Sequence, residues 1–271
     1  MLRGSVAILA GAGRVNSVGA ATARLLAKEG CNLLINTLKN REQAKKVADE
    51  CRALGAETEI FIGDVTKAST CSEISEFVQS KWKRADILVN CVGATKSASY
   101  EKLEQLTEKD FAALFATNAT APFLMAQAFQ SQLRAAHGVI INVSSAAGIT
   151  GKGSSIAYAA AKGAENTLTL ALSQALSPEI RVNAVCPSFI DSSWWDETVK
   201  KDEGRYQNLI KSMQESNLLK RVLTPADVAF TILHLIKSPV ITGELIRLDA
   251  GAHVGKANKR DDEDIVKVKN N

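Results

Sequence analysis

The 271-residue chain is 46% apolar and 23% charged, long enough to bury a large core and short enough to form one α/β domain. Its formal net charge of +4 is spread along the chain, which argues against a nucleic-acid or membrane partner. Cys31, Cys51, Cys71, Cys91 and Cys186 form no C-x-x-C pair and have no histidine cluster beside them, so neither a disulfide frame nor a metal site is expected. The apolar run at 6–10 is too short for a signal segment or a membrane span, and the expected location is the cytoplasm.

Short apolar runs at 6–10, 32–36, 58–62, 87–89, 139–143, 182–185 and 245–248 alternate with amphipathic stretches. Continuous apolar strands separated by helices predict a doubly wound, seven-stranded parallel sheet with helices on both faces, a Rossmann-type single domain. The helix after the second run is expected to start at Asn40, to share Ala44, Val47, Ala48, Cys51 and Leu54 on one face and to end at Gly55,. Another is expected from Thr224, with Pro225 at its first position and Asp227 in its first turn,. The catalytic domain is drawn as 1–255, with a lid at about 188–221 that carries Trp194, Trp195, Tyr206, Met213, Leu218 and Leu219; 256–271 reads as a charged, mobile tail,.

Directly after the first strand stands Gly11-Ala12-Gly13-Arg14-Val15-Asn16-Ser17-Val18-Gly19, ahead of a helical run. Glycines let the backbone approach a pyrophosphate, and the N–H groups and dipole of the helix favour the anion. Ser17 can cap that helix. The second strand ends at Asn36-Thr37 without a carboxylate, and Lys39 and Arg41 lie just beyond. An NAD site usually holds the ribose with Asp or Glu there, so Arg14, Lys39 and Arg41 become candidates for a 2′-phosphate: NADP(H) is preferred and NAD(H) stays open.

Asn142-Val143-Ser144-Ser145 closes the fifth strand, and Tyr158-Ala159-Ala160-Ala161-Lys162 opens the next helix. Residues four apart share a helix face, so the phenol and the ammonium can meet. Moving a free phenol from a pKa near 10 to about 7 needs roughly 4 kcal/mol, which a unit charge at about 4 Å supplies at an effective dielectric of about 20. Neither Tyr100 nor Tyr206 has a lysine at this spacing, since Glu104 and Ile210 stand there.

With these motifs in order, together with Asp64-Val65, Asn90-Cys91-Val92-Gly93, Asn118, Asn183, Pro187 and Thr242-Gly243 ahead of Asp249-Ala250-Gly251, the chain from Ser5 to about Gly251 resembles the short-chain dehydrogenase/reductase family. The resemblance implies that Ser145 hydrogen-bonds the substrate oxygen, Tyr158 gives or takes the proton, Lys162 assists and binds the nicotinamide ribose, and Asn118 holds a water leading to solvent. It further implies that Asp64 and Val65 contact the adenine, that Asn90 stabilises the sheet beside the cofactor, with Gly93 in the same motif, and that Ile190 and Ser192, after Pro187, sit near the carboxamide. A homotetramer or homodimer is implied as well.

Ala10 stands where the family's Gly-rich turn has Thr, and the spacing of Gly11 and Ser17 is closer to the enoyl-acyl-carrier-protein reductases. Those enzymes carry more residues between Tyr and Lys. The leading expectation is therefore an NADP(H)-dependent oxidoreductase of ketones or secondary alcohols, including 3-oxoacyl thioesters, with Trp194 and Trp195 as an apolar substrate wall. An enoyl-thioester reductase and a non-catalytic nucleotide sensor on the same fold are the alternatives.

Overall fold

The computed structural model describes residues 2–195 and 202–255. The first strand, β1 (Val6–Ala10), is buried at all five positions, as a strand covered on both faces must be. The others are β2 (Asn32–Thr37), β3 (Thr58–Ile62), β4 (Ile87–Asn90), β5 (Val139–Val143), β6 (Arg181–Pro187) and β7 (Leu245–Leu248). Seven strands were expected and all seven are present. The helices are α1 (Val18–Lys28), α2 (Arg41–Ala53), α3 (Ala68–Trp82), α4 (Glu108–Phe115), α5 (Ala121–Ala135), α6 (Ala147–Thr150), α7 (Ile156–Leu176), α8 (Glu203–Ser216) and α9 (Pro225–Lys237).

The strands pair in parallel in the order β3-β2-β1-β4-β5-β6-β7. Alternate residues feed two apolar layers. Leu9 and Leu33 meet Leu26 of α1, Val47 of α2 and Ile232 of α9 on one face, while Ile8, Leu88 and Ile140 meet Ile74 of α3, Phe129 of α5 and Leu172 of α7 on the other. The order reverses between β1 and β4, which opens a crevice at the carboxyl ends of those strands. The register aligns Ala10 with Asn90 and Asn90 with Asn142 across that edge.

Strand ends differ from expectation: β2 and β4 run one residue further, to Thr37 and Asn90. The sixth strand runs to Pro187 and starts at Arg181, whose guanidinium donates to the carbonyls of Leu235, Ile236 and Ile241 and so fixes the strand end. Asn40 is the N-cap of α2 but makes no side-chain cap, Leu54 is 41% exposed and off the buried face, and Gly55 follows the C-cap at φ +90°, ending the helix where expected,. By contrast Ser17 caps α1 by accepting from the Ala20 N–H, and Thr224 with Asp227 forms a full capping box on α9. Thr224→Ala should cost about 1 kcal/mol, a fall in Tm of about 2–4 °C in a chain of this size. A thermal melt identical to wild type would contradict that reading of the cap.

The lid expected at 188–221 holds a short 3-10 turn (Ser193–Trp195) and α8, and an Ile190–Leu223 bridge ties its two ends together. Tyr206 of α8 is buried and donates from its hydroxyl to Asp191 at 2.6 Å. The tail at 256–271 and the stretch 196–201 of the lid lie outside the described residues.

Candidate active site

The crevice floor begins with the Gly-rich turn. The N–H groups of Gly11 and Ala12 donate to the Asn36 carbonyl, which folds the turn against the end of β2. Gly11 has φ +81°, and a Cβ there would stand 2.8 Å from the Val92 nitrogen; one on Gly13 would stand 2.4 Å from the Thr37 Cβ, and one on Gly19 2.7 Å from the Ala12 Cα. The turn is thus pressed flat on β2 and β4, and the N-terminus of α1 faces outward from it. That arrangement fits a pyrophosphate. Val18 and Gly19 open the helix.

The residues around the adenosine end are less uniform. Thr37 is buried at the end of β2, while Lys39 and Arg41 are exposed just beyond it. Arg14, expected beside them, donates from Nη1 to the Ser193 carbonyl at 3.0 Å, and the Ser193 N–H donates to the Asn16 carbonyl at 2.7 Å. The Gly-rich turn is therefore clasped to the 3-10 turn at Ser193–Trp195. Asp64 accepts from the Thr66 N–H and hydroxyl, an Asx turn whose hydroxyl contact holds its carboxyl below the usual range despite some burial,. Val65 beside it is buried in the apolar layer under α3.

At the other end, Asn90 donates to the Asn142 side chain at 2.9 Å, Asn142 donates to the Thr169 hydroxyl at 2.9 Å, and that hydroxyl donates to the Glu165 carbonyl at 3.0 Å. This chain of bonds locks β4 and β5 onto α7. Asn118 sits in a widened π turn (Ala116–Thr120) between α4 and α5. Its side-chain amide donates to Ala94 O at 2.9 Å and to Leu114 O at 2.8 Å, and its oxygen accepts from the Ala94 N–H. Every polar atom of that side chain thus has a backbone partner.

α7 begins with Ser155, which accepts from the Tyr158 N–H. The Tyr158 ring is half-buried against the apolar cluster of Leu114, Ala157 and Ala161. One turn further on, Lys162 is buried. Its Nζ donates to Val143 O at 3.0 Å and to Glu165 Oε2 at 2.6 Å. Burial works against the ammonium, yet the Glu165 carboxylate and the neighbouring Tyr158 phenol hold it above the usual lysine range. Ser145 lies just past β5, its Oγ accepting from the Ala147 N–H at 3.1 Å and donating to Pro187 O at 3.5 Å; Ser144 instead donates inward to Lys162 O.

Sequence reasoning missed Glu165. The signal was present: Lys162 and Glu165 are the two charged residues of the 21-residue α7, three apart and hence on one face. The two tryptophans separate. Trp194 lies over the crevice, its ring 3.2 Å from where a Cβ on Gly93 would stand. Trp195 stacks on Phe189 with centroids 5.1 Å apart and donates from Nε1 to Ile190 O. These contacts pack it against the segment that follows β6. Ile190 is the bridge residue, and the buried Ser192 accepts from the Trp194 N–H.

A doubly wound parallel sheet with a Gly-rich turn at its topological switch point defines a dinucleotide-binding protein of the Rossmann class. A family model described as enoyl-(acyl carrier protein) reductase matches residues 11–253. The 3-oxoacyl-[acyl-carrier-protein] reductase FabG of Thermotoga maritima is 30% identical over 254 residues, covering 92% of this chain and 98% of its own. FabG of Staphylococcus epidermidis is 31% identical over 252 residues, with the same coverage of 92% and 98%. A crystal structure of a protein described as a short-chain dehydrogenase/reductase from Burkholderia xenovorans superimposes with a TM-score of 0.85 at 36% identity, covering 93% of this chain and 98% of that one. The chain belongs to the short-chain dehydrogenase/reductase family, and it is an NAD(P)-dependent oxidoreductase acting on CH–OH and C=O groups. No described helix is long and apolar enough to cross a membrane.

Proposed function

We propose that this protein is an NADP(H)-dependent reductase of 3-oxoacyl thioesters or closely related ketones. The observation that carries the reading is the buried, charged Lys162 one turn from Tyr158, at the carboxyl edge of β5 beside the switch-point crevice. A bound nicotinamide would supply the hydride. The chain's own residues do the rest. Ser145 hydrogen-bonds the substrate oxygen, the Tyr158 hydroxyl gives its proton to that oxygen as it gains charge, and Lys162 stabilises the resulting phenolate. The main-chain carbonyl of Asn118, in its π turn, holds a water that returns the proton.

Gly11, Gly13, Ser17, Val18 and Gly19 hold the pyrophosphate, with Asn90, Gly93 and Pro187 along the floor, Asp64 and Val65 at the adenine, and Ile190 and Ser192 at the carboxamide. Trp194 closes the space above Gly93 as substrate wall, and the lid at 188–221 covers it. The reading includes a cytoplasmic homodimer or homotetramer.

Carbonyl reduction is favoured over enoyl reduction by three residues, not more, between Tyr158 and Lys162, and by Ser145 thirteen positions before the tyrosine. Following NADPH absorbance with acetoacetyl and crotonyl thioesters tests the choice. Turnover of the first and not the second is expected; the reverse would replace the reading with enoyl reduction.

For the cofactor, Lys39 and Arg41 are the cations past β2, with no carboxylate at Thr37 to hold a ribose,. The double variant Lys39→Ala/Arg41→Ala should lower the ratio of kcat/KM for NADPH over NADH at least about tenfold, the effect of losing roughly 1.4 kcal/mol of charge-assisted phosphate contact. An unchanged ratio would remove these two residues from the site.

A further inference from the structure

We propose that Glu165 is a positioning residue for Lys162, holding the ammonium in a buried ion pair and opposing its field at the Tyr158 phenol, so that it sets the pH range in which Tyr158 exchanges its proton. The inference rests on the reading of Tyr158 and Lys162 given above.

The geometry is specific. Glu165 Oε2 lies 2.6 Å from Lys162 Nζ, and the two side chains are 0% and 3% exposed. The other carboxyl oxygen, Oε1, is buried with no close hydrogen-bond partner, and the Ser144 hydroxyl beside the carboxyl gives it only partial relief. A carboxylate leaves such an oxygen costly in a dry site, whereas a carboxylic acid reduces the cost, so the group is poised between its two states. Burial pushes the Glu165 carboxyl up to about 7, with Lys162 and Ser144 working in the other direction.

The remaining neighbours do not share this role. Cys186 of β6 and Cys91 after β4 are thiols pushed up by burial to about 11 and about 12, and they stay neutral where Glu165 titrates. Arg247 of β7 acts on the Cys186 thiol. On α4, Glu108 and Lys109 are exposed and Asp110 is ion-paired to Lys96. Lys162, Glu165 and Tyr158 therefore form the local charge system.

The sign follows from the charges. Below neutrality Glu165 is protonated and the Lys162 ammonium acts on the phenol undiminished. Above neutrality the carboxylate cancels part of that field, and the phenolate forms less readily. A neutral side chain at this position leaves the ammonium unopposed at every pH.

The test is the pH profile of kcat/KM for oxidation of a 3-hydroxybutyryl thioester with NADP+, in wild type, Glu165→Gln and Glu165→Leu. Both variants should move the alkaline-rising midpoint toward acid by about one pH unit, as loss of a unit charge about two helix turns (roughly 10 Å) away does at an effective dielectric of about 20. A midpoint that stays fixed while the amplitude falls would mark a merely structural residue and overturn the proposal, as would a shift toward alkali. The phenolate difference absorbance of the NADP+-loaded protein, with Tyr158→Phe as blank, reads the same midpoint without turnover. A third readout needs no variant to fold: the infrared carboxylic-acid band of wild type should vanish with a midpoint near 7, and its absence overturns the proposal. Full activity of Tyr158→Phe would instead sink the underlying reading, so the two failures are distinguishable.

Discussion

Tyr158→Phe is expected to lower kcat/KM for carbonyl reduction about a thousandfold while NADPH affinity stays within about twofold of wild type. A positioned acid contributes on the order of a hundredfold to ten-thousandfold, and a thousandfold corresponds to roughly 4 kcal/mol of transition-state stabilisation. The substitution removes one hydroxyl from a half-buried ring held by Leu114, Ala157 and Ala161, and the Tyr158 N–H bond to Ser155 is main-chain and survives. The helix start and the cofactor crevice should therefore persist. Fluorescence titration with NADPH beside steady-state kinetics separates the outcomes: loss of binding together with turnover would place the tyrosine in cofactor retention rather than proton transfer.

Lys162→Met should be the second large lesion, and it has two signatures. Turnover falls at least about a hundredfold because the charge stabilising the phenolate is gone. The fold also suffers, because Glu165 is left buried without its counter-charge. Breaking a buried pair typically costs about 3–5 kcal/mol, and here protonation of Glu165 relieves part of it. That relief makes the cost depend on pH. In the folded chain Glu165 is raised to about 7, above an unfolded value near 4.3, so the folded state binds the extra proton and this group's contribution to stability declines as pH rises between the two values. Without Lys162 the folded value climbs further and the decline extends to higher pH. The fall in Tm caused by Lys162→Met should thus be larger at about pH 9 than at about pH 6. The double variant Lys162→Met/Glu165→Leu should recover most of the lost Tm and none of the activity. A pH-independent fall in Tm would contradict the buried ion pair.

Much of this was legible in the chain. Strands buried on both faces read as continuous apolar runs, as in the five buried residues of β1, and the switch-point crevice follows from the crossover rule once the strands are placed. The family motifs marked Tyr158, Lys162 and Ser145 through local spacing alone. Contacts that depend on tertiary folding were not legible. Arg14 reads as a free cation beside the Gly-rich turn, yet its guanidinium reaches Ser193, 179 residues away. Trp195 reads as a twin of Trp194, and only the packing of Phe189 and the Ile190 carbonyl separates them. The π turn at Asn118 is a backbone register shift that no side-chain pattern announces. Glu165 was visible as a charge in an apolar helix, but its meaning came only from the 2.6 Å approach to Lys162.

The central claim is that the Tyr158 phenol and the buried Lys162 ammonium work together beside a dinucleotide at the β1–β4 switch point. A crystal structure of the NADP+ complex tests it most directly. The account predicts the Tyr158 hydroxyl and Ser145 Oγ converging on one point above the nicotinamide, with Lys162 Nζ at the adjoining ribose. A dinucleotide bound elsewhere, or a Tyr158 ring turned out of the crevice with the cofactor in place, would contradict it.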